Sequence, residues 1–265
     1  MLETQLLPKC LEIIDDQIQV FEYSSTITDR NEIPDTNTIP LNDQNHWLRI
    51  KDVICVFFDM KNSTKLNANE SPRVTADAYN LFTGTAIRLL NEFQSSYIDI
   101  RGDGAFGLFN SNQAHRALTA AVTFKTFAEI DFKRLMKKIT DVDVGTHIGI
   151  DQKVVLVKKI GLRQTEGRTD RQNEVWAGKP VNMAAKLAAL SEDGELLVSD
   201  RYFENFTNEL TLKTCGCPNG IKSDLWSEVD TTDNSWFDFE KAYKLKTHWC
   251  EIHGKSFCEQ ILNLD

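Results

Sequence analysis

Val53-Ile54-Cys55-Val56-Phe57-Phe58-Asp59-Met60-Lys61-Asn62-Ser63-Thr64 is the stretch that decides the fold. Its opening apolar run, closed by an acid and a polar turn, reads as a buried strand over 53–59. The Met60 to Thr64 turn opens a helical stretch predicted over about 74–94. There Ser63 or Thr64 serves as a helix cap, or the N–H groups of Asn62, Ser63 and Thr64 cradle phosphate oxygens. A second acid, Asp103, follows 44 residues after Asp59 in Ile98-Asp99-Ile100-Arg101-Gly102-Asp103-Gly104-Ala105-Phe106. Taken singly, each aspartate reads as turn chemistry. Brought together at neighbouring strand ends, the pair could hold two hard divalent cations against a polyphosphate.

Outward from this stretch the pattern alternates. A hairpin is predicted over about 96–101 and 104–109, then a helix from Gln113 to Ile130 that runs on toward Leu135. A strand pair follows around Val142–Ile150 and Val154–Ile160, then a charged loop over Leu162–Asn173, a helix over Val181–Leu190 and a strand over Glu195–Ser199. Strand, helix, paired strands, helix and strand is the order of an enlarged ferredoxin-like α+β sheet, mixed but mainly antiparallel, with packed helices. The chain divides into 1–46, a helix over about the first 22 residues and a polar linker with Pro34 and Pro40; 47–210, the central domain; and 211–265, an extension packed on it. In that extension Trp226, Trp236, Phe237, Phe239, Tyr243 and Trp249 read as a seal onto the core.

A third segment is Glu174-Val175-Trp176-Ala177-Gly178-Lys179-Pro180-Val181-Asn182-Met183-Ala184-Ala185-Lys186-Leu187. Asn182 and Lys186, four apart, share one side of a helix and present an amide and a cation together. By type alone they also fit a solvated face.

A net charge of −9 argues against broad nucleic-acid or anionic-membrane binding, since either needs a basic face. There is no apolar run long enough to span a bilayer and no secretory signal at the N-terminus, so a cytoplasmic protein is expected. The six cysteines are scattered and are expected as reduced thiols. Cys215, Cys217, His248, Cys250, His253 and Cys258 could gather a zinc, but C-x-C lacks the usual ligand spacing and the pairs are distant in sequence.

Together these segments resemble the catalytic domain of class III nucleotidyl cyclases, from about Ile54 to Phe203. Phe58 to Thr64 looks like the family's first metal-aspartate motif, Gly102-Asp103-Gly104 like the second, and Val144 to Ile150 like the next strand. The segment from Gly178 to Leu187 looks like the one that carries the transition-state Asn. The resemblance implies a head-to-tail homodimer with two shared active sites. It implies two Mg or Mn ions per site on Asp59, Asp103 and the Met60 carbonyl, with Asn182 and Lys186 as catalytic groups from the partner chain. His147 stands where the family often has a phosphate-binding Arg and Lys222 about where it has a distal phosphate-binding Lys, although a core histidine and a surface lysine are the plain readings of these residues.

Departures from the family pattern bear on substrate. The adenine-type Lys position holds Asp99, and the base-recognising Asp or Thr position falls on Val175, or on Glu174 if Ala177 is an insertion. Asp99, Arg101 and Asp103 alternate, so they are expected on one strand face. Uracil offers acceptors at O2 and O4 and a donor at N3, which Arg101 and Asp99 could answer, while an Arg101–Asp99 ion pair with only a structural role is the alternative. The pattern looks most like the bacterial Pycsar pyrimidine cyclases. That likeness implies a uridylate cyclase making cyclic UMP from UTP in antiphage defence, with a separate effector reading the product. Cytidylate cyclase, a guanylyl or adenylyl cyclase with altered base contacts, and a non-catalytic nucleotide sensor are the alternatives.

Overall fold

The computed structural model describes residues 6–39, 45–161 and 172–265. In chain order the elements are α1 (Pro8–Glu22), β1 (Thr26–Arg30), β2 (His46–Lys61), α2 (Ser63–Asn69), α3 (Pro72–Glu92), β3 (Tyr97–Arg101), β4 (Gly104–Asn110), α4 (Ala114–Phe127), α5 (Lys133–Met136) and β5 (Gly145–Gly161). They continue with β6 (Gln172–Gly178), α6 (Lys179–Leu190), β7 (Leu196–Ser199), α7 (Asp200–Phe203), α8 (Glu209–Leu212), β8 (Trp226–Asp230), β9 (Lys241–Leu245) and α9 (Gly254–Leu262). The chain forms two compact units, Met1–Lys51 with Val155–Ala177 and Asp52–Val154 with Gly178–Asp265.

In the smaller unit β1 pairs in parallel with the start of β2, from Thr26 opposite His46 to Arg30 opposite Ile50. The Arg49 guanidinium grips the Asp29 carboxylate through two bonds of 2.6 and 3.0 Å. β1 lies where a linker was expected, because five residues with a threonine-rich, alternating pattern become a strand once a partner edge is supplied. The α1 helix carries Ile13, Ile18 and Phe21 exposed.

In the larger unit the sheet order is β3-β4-β2-β5-β7-β9-β8. β2 with β4, β3 with β4, β7 with β9 and β8 with β9 are antiparallel, whereas β5 with β7 is parallel. The sheet is therefore mixed and mainly antiparallel, as the sequence predicts. Ile54, Val56 and Phe58 of β2 are fully buried together with Phe82 and Ala86 of α3 and Phe124 of α4. The Phe58 and Phe124 rings stack at 4.2 Å. Truncating either aromatic would cost about 3–5 kcal/mol through lost burial and the void left behind.

Three local expectations are corrected. The strand pair predicted over 142–160 is one 17-residue strand, β5. Its polar middle looks like a turn in sequence, yet Asp151 is held by Arg201 at 2.6 and 2.8 Å, and Gln152 bonds Asp52 and Asn205 at 2.7 Å each. The turn after Asp59 opens the short α2 rather than the long helix, which begins at Pro72 with Ser71 as its cap. The helix expected to run on toward Leu135 does so, from α4 through a π-turn over Ala128–Phe132 into α5, and the π-turn carries Phe132 fully buried with its ring 5.3 Å from that of Phe82. Finally, the extension supplies two strands, β8 and β9, whose mixed polar composition hid them.

Candidate active site

Register brings the two aspartates together. Phe58 pairs with Ala105 across β2 and β4, so Asp59, the next residue of β2, lies beside Gly104. A Cβ on Gly104 would stand 2.7 Å from the Phe58 carbonyl oxygen and 3.2 Å from Asp59 Oδ1, so the approach requires glycine. The β3–β4 hairpin closes over Gly102 and Asp103, with Arg101 opposite Gly104 and Gly102 at φ +64°. Asp103 thus lies in the turn and not on the strand, so it does not share a strand face with Asp99 and Arg101 as its alternation implied.

Both aspartates are half-buried. Burial, and then the Asp103 charge, push the Asp59 carboxyl up to about 6, against the pull of the Met60 backbone N–H. A carboxylate whose ionisation is opposed by burial and by a neighbouring acid fits a hard divalent cation, whose charge offsets both. Thr146 on β5 donates from its hydroxyl to the Asp59 carbonyl at 3.4 Å. The Met60 side chain is buried in the core, which leaves its backbone as the group available to the site.

Around the turn, Asn62 adopts the left-handed conformation at φ +60° and donates from its amide to the Asp143 carbonyl at 2.7 Å. Ser63 and Thr64 are the first residues of α2, and Asn62 makes no side-chain cap bond to it. Lys61, which sequence reasoning passed over, bridges Asp143 at 3.0 Å and Asp193 at 3.2 Å. Asp193 also meets Lys133 at 2.9 Å, and these cations hold its carboxyl below the usual range despite burial. The network joins residues up to 132 positions apart, a distance at which local sequence carries no signal.

His147, adjacent to Thr146, has its Nδ1 3.3 Å from the Ser191 hydroxyl, and burial holds it below the usual imidazole range. Lys222 pairs with Glu209 at 3.2 Å on an exposed surface.

Asn182 and Lys186 lie on α6, whose inner face buries Met183, Ala184, Leu187 and Ala188. The helix packs directly on β5 at Gly149, where a Cβ would overlap the Ala184 carbonyl and stand 2.6 Å from Ala188 N. Asn182 is exposed, and Lys186 Nζ donates to the Trp236 carbonyl at 2.8 Å. Two residues on, Asp238 receives Lys179 at 2.6 Å and Arg201 at 3.0 Å, which hold its carboxyl near 2 against burial. The extension thereby holds α6 at its first residue and again at Lys186. Among the described residues, no hydrogen bond or ion pair joins Asn182 or Lys186 to Asp59 or Asp103 of the same chain.

Of the residues assigned to the base, Asp99 and Arg101 form an ion pair at 2.6 Å in the larger unit. In the smaller unit Glu174 pairs with Lys159 at 3.5 Å, and Val175 is 37% exposed on β6.

The mixed sheet, the carboxylate pair at its strand ends and the polar side of α6 are those of a class III nucleotidyl cyclase domain. A family model for the adenylate and guanylate cyclase catalytic domain matches residues 47–216, and the chain belongs to that family. It is 35% identical over 228 residues to a uridylate cyclase of Propioniciclava tarda, covering 84% of this chain and 73% of that protein. It is 30% identical over 270 residues to a uridylate cyclase of Micromonospora echinofusca, covering 99% and 86%. Among solved structures, the guanylate cyclase domain of RhGC from Catenaria anguillulae in complex with GTP shares the fold, with a TM-score of 0.59 at 15% identity over 76% of this chain and 98% of that one. Among the described residues, no helix is long and apolar enough to cross a membrane.

Proposed function

We propose that this nucleotidyl cyclase converts UTP to 3′,5′-cyclic UMP and pyrophosphate as a head-to-tail homodimer with two shared sites. The observation that carries the reading is the register that sets Asp59 beside Gly104, next to Asp103, where burial and the second acid raise the Asp59 carboxyl and suit the pair to bind cations at a polyphosphate. Two Mg or Mn ions on Asp59, Asp103 and the Met60 carbonyl would supply Lewis-acid stabilisation of the phosphates and the ribose 3′-oxygen. The Asn62, Ser63 and Thr64 turn would bind phosphate oxygens, with His147 and Lys222 as further phosphate contacts. From the opposite protomer, Asn182 would orient the ribose. Lys186 would exchange the Trp236 carbonyl for the α-phosphate and oppose the charge that builds there.

Two supports favour uracil. The relatives that match over most of this chain are named uridylate cyclases. The Asp99–Arg101 pair also offers a carboxylate for the uracil N3–H and guanidinium donors for its carbonyls. The cyclic UMP would be read by a separate effector in cytoplasmic antiphage defence. Incubation of the pure chain with Mn and each of the four nucleoside triphosphates tests the reading. Cyclic UMP is the expected product; product from ATP alone overturns the substrate, and none from any overturns the enzyme.

A further inference from the structure

Outside the active site, the fold gathers four side chains that the linear sequence keeps apart. Cys215 and Cys217 follow α8, and Cys250 and His253 form the turn that enters α9. One sulfur or ring nitrogen from each lies within 4.8 Å of all the others, and Cys217 Sγ is 3.1 Å from His253 Nδ1. We propose that Cys215, Cys217, Cys250 and His253 bind a structural zinc ion.

The donor set and its dimensions argue for zinc. Three thiols and one imidazole make a closed Cys₃His set, the composition of structural sites, with no place kept for water or substrate. Zn–S bonds of about 2.3 Å and a Zn–N bond of about 2.0 Å require tetrahedral donor separations of roughly 3.5–3.8 Å. The observed cluster reaches that geometry with small side-chain adjustments. Soft thiolates in a tetrahedral arrangement select zinc over magnesium or calcium. A disulfide would use two sulfurs and leave the convergence of the third sulfur and the imidazole without a reason.

Both arms are already held in place. At the first, Gly216 takes φ +87°, and a Cβ there would stand 2.9 Å from Gly220, so only glycine makes the tight step between the two cysteines. Gly220 N donates to the Gly216 carbonyl at 2.6 Å, and Thr214 N to the Ser223 carbonyl at 2.8 Å, closing the loop at its base. At the second, Trp249 donates from its backbone and its indole to Thr126 and Thr123 of α4, at 3.1 and 2.9 Å. Gly254 N donates to the Cys250 carbonyl at 2.7 Å, which closes the turn that carries Cys250 and His253.

The consequence follows from what lies between the arms. Cys217 and Cys250 bracket β8, β9 and the loop whose Trp236 carbonyl and Asp238 carboxylate hold Lys186 and Lys179. A metal joining the arms closes that segment and removes entropy from its unfolded state, as a covalent staple does. It also fixes the entry to α9, beyond which the Asp265 carboxylate accepts from the His115 and Arg116 backbone N–H groups at 2.9 and 2.8 Å.

Elemental analysis of the full chain purified under reducing conditions tests the proposal. One zinc per chain is expected, released in step with titration of three thiols by a mercurial reagent. Cys250→Ser and His253→Ala should each lower zinc content at least tenfold, whereas Asp103→Asn, which alters the other site, should leave it unchanged. Should the cysteine and histidine variants fail to fold, cobalt exchanged into the unaltered chain decides the matter. Thiolate-to-cobalt charge transfer with intense tetrahedral d–d bands supports the site. Absence of zinc and cobalt from the reduced chain, retention of zinc by both variants, or a disulfide among the three cysteines overturns it.

Discussion

Burial, and after it the charge of Asp103 in the adjoining turn, lift the Asp59 carboxyl from an ordinary 3.8 to about 6. A raised carboxyl means that the folded chain binds this proton more tightly than the unfolded chain does. Its contribution to stability is therefore fully present below 3.8 and is lost as pH rises through about 6. Melting temperatures of the cation-free protein should fall across that window relative to those of Asp59→Asn, and added Mn should abolish the difference. Parallel pH profiles for the two proteins would contradict this.

Lys186 is held by a carbonyl of the extension rather than by a carboxylate, so its charge is not neutralised by its partner. Lys186→Ala should lower kcat by about 10²–10³ with little change in KM, as expected for a group that acts in the transition state. Lys186→Arg should restore much of the rate. Steady-state kinetics with Mn and UTP check this; an unchanged kcat in the alanine variant removes the residue from the chemistry.

Shared sites carry a signature of their own. Asp103→Asn and Lys186→Ala homodimers should each be inactive. Mixed and allowed to exchange, they form heterodimers with one intact site, for about a quarter of the unaltered activity in an equimolar mixture. No recovery after exchange would place the whole site within one protomer.

The Arg101–Asp99 pair tests base reading. Removal of the guanidinium donors with Arg101→Leu should lower kcat/KM for UTP by about tenfold or more, because a polar base edge is then left unpaired. The melting temperature should hardly move, since the pair is partly exposed. A loss of stability without loss of UTP selectivity would make the pair structural.

What could be read in advance was local. The run from Val53 to Phe58 and the Gly102-Asp103-Gly104 turn each carry their conformation within a few residues, so β2, the hairpin and the aspartate pair were legible. β1, β8 and β9 were not, because short strands of mixed polarity become strands through a partner edge far along the chain. β5 looked interrupted because its central polar residues find their partners in Arg201, Asp52 and Asn205. The same holds for Lys61 with Asp193, for Lys186 with Trp236 and for the Cys₃His cluster, whose members come together only in the folded chain.

The central claim is that Asp59 and Asp103 serve the cyclisation of a uridine nucleotide. Competition at equal concentrations of UTP, CTP, ATP and GTP with Mn, run side by side for the unaltered chain and Asp103→Asn and read by mass spectrometry of the cyclic products, tests it most directly. The account predicts cyclic UMP as the main product of the first and no cyclic nucleotide from the second. A purine cyclic nucleotide as the main product, or undiminished product from the variant, would contradict it.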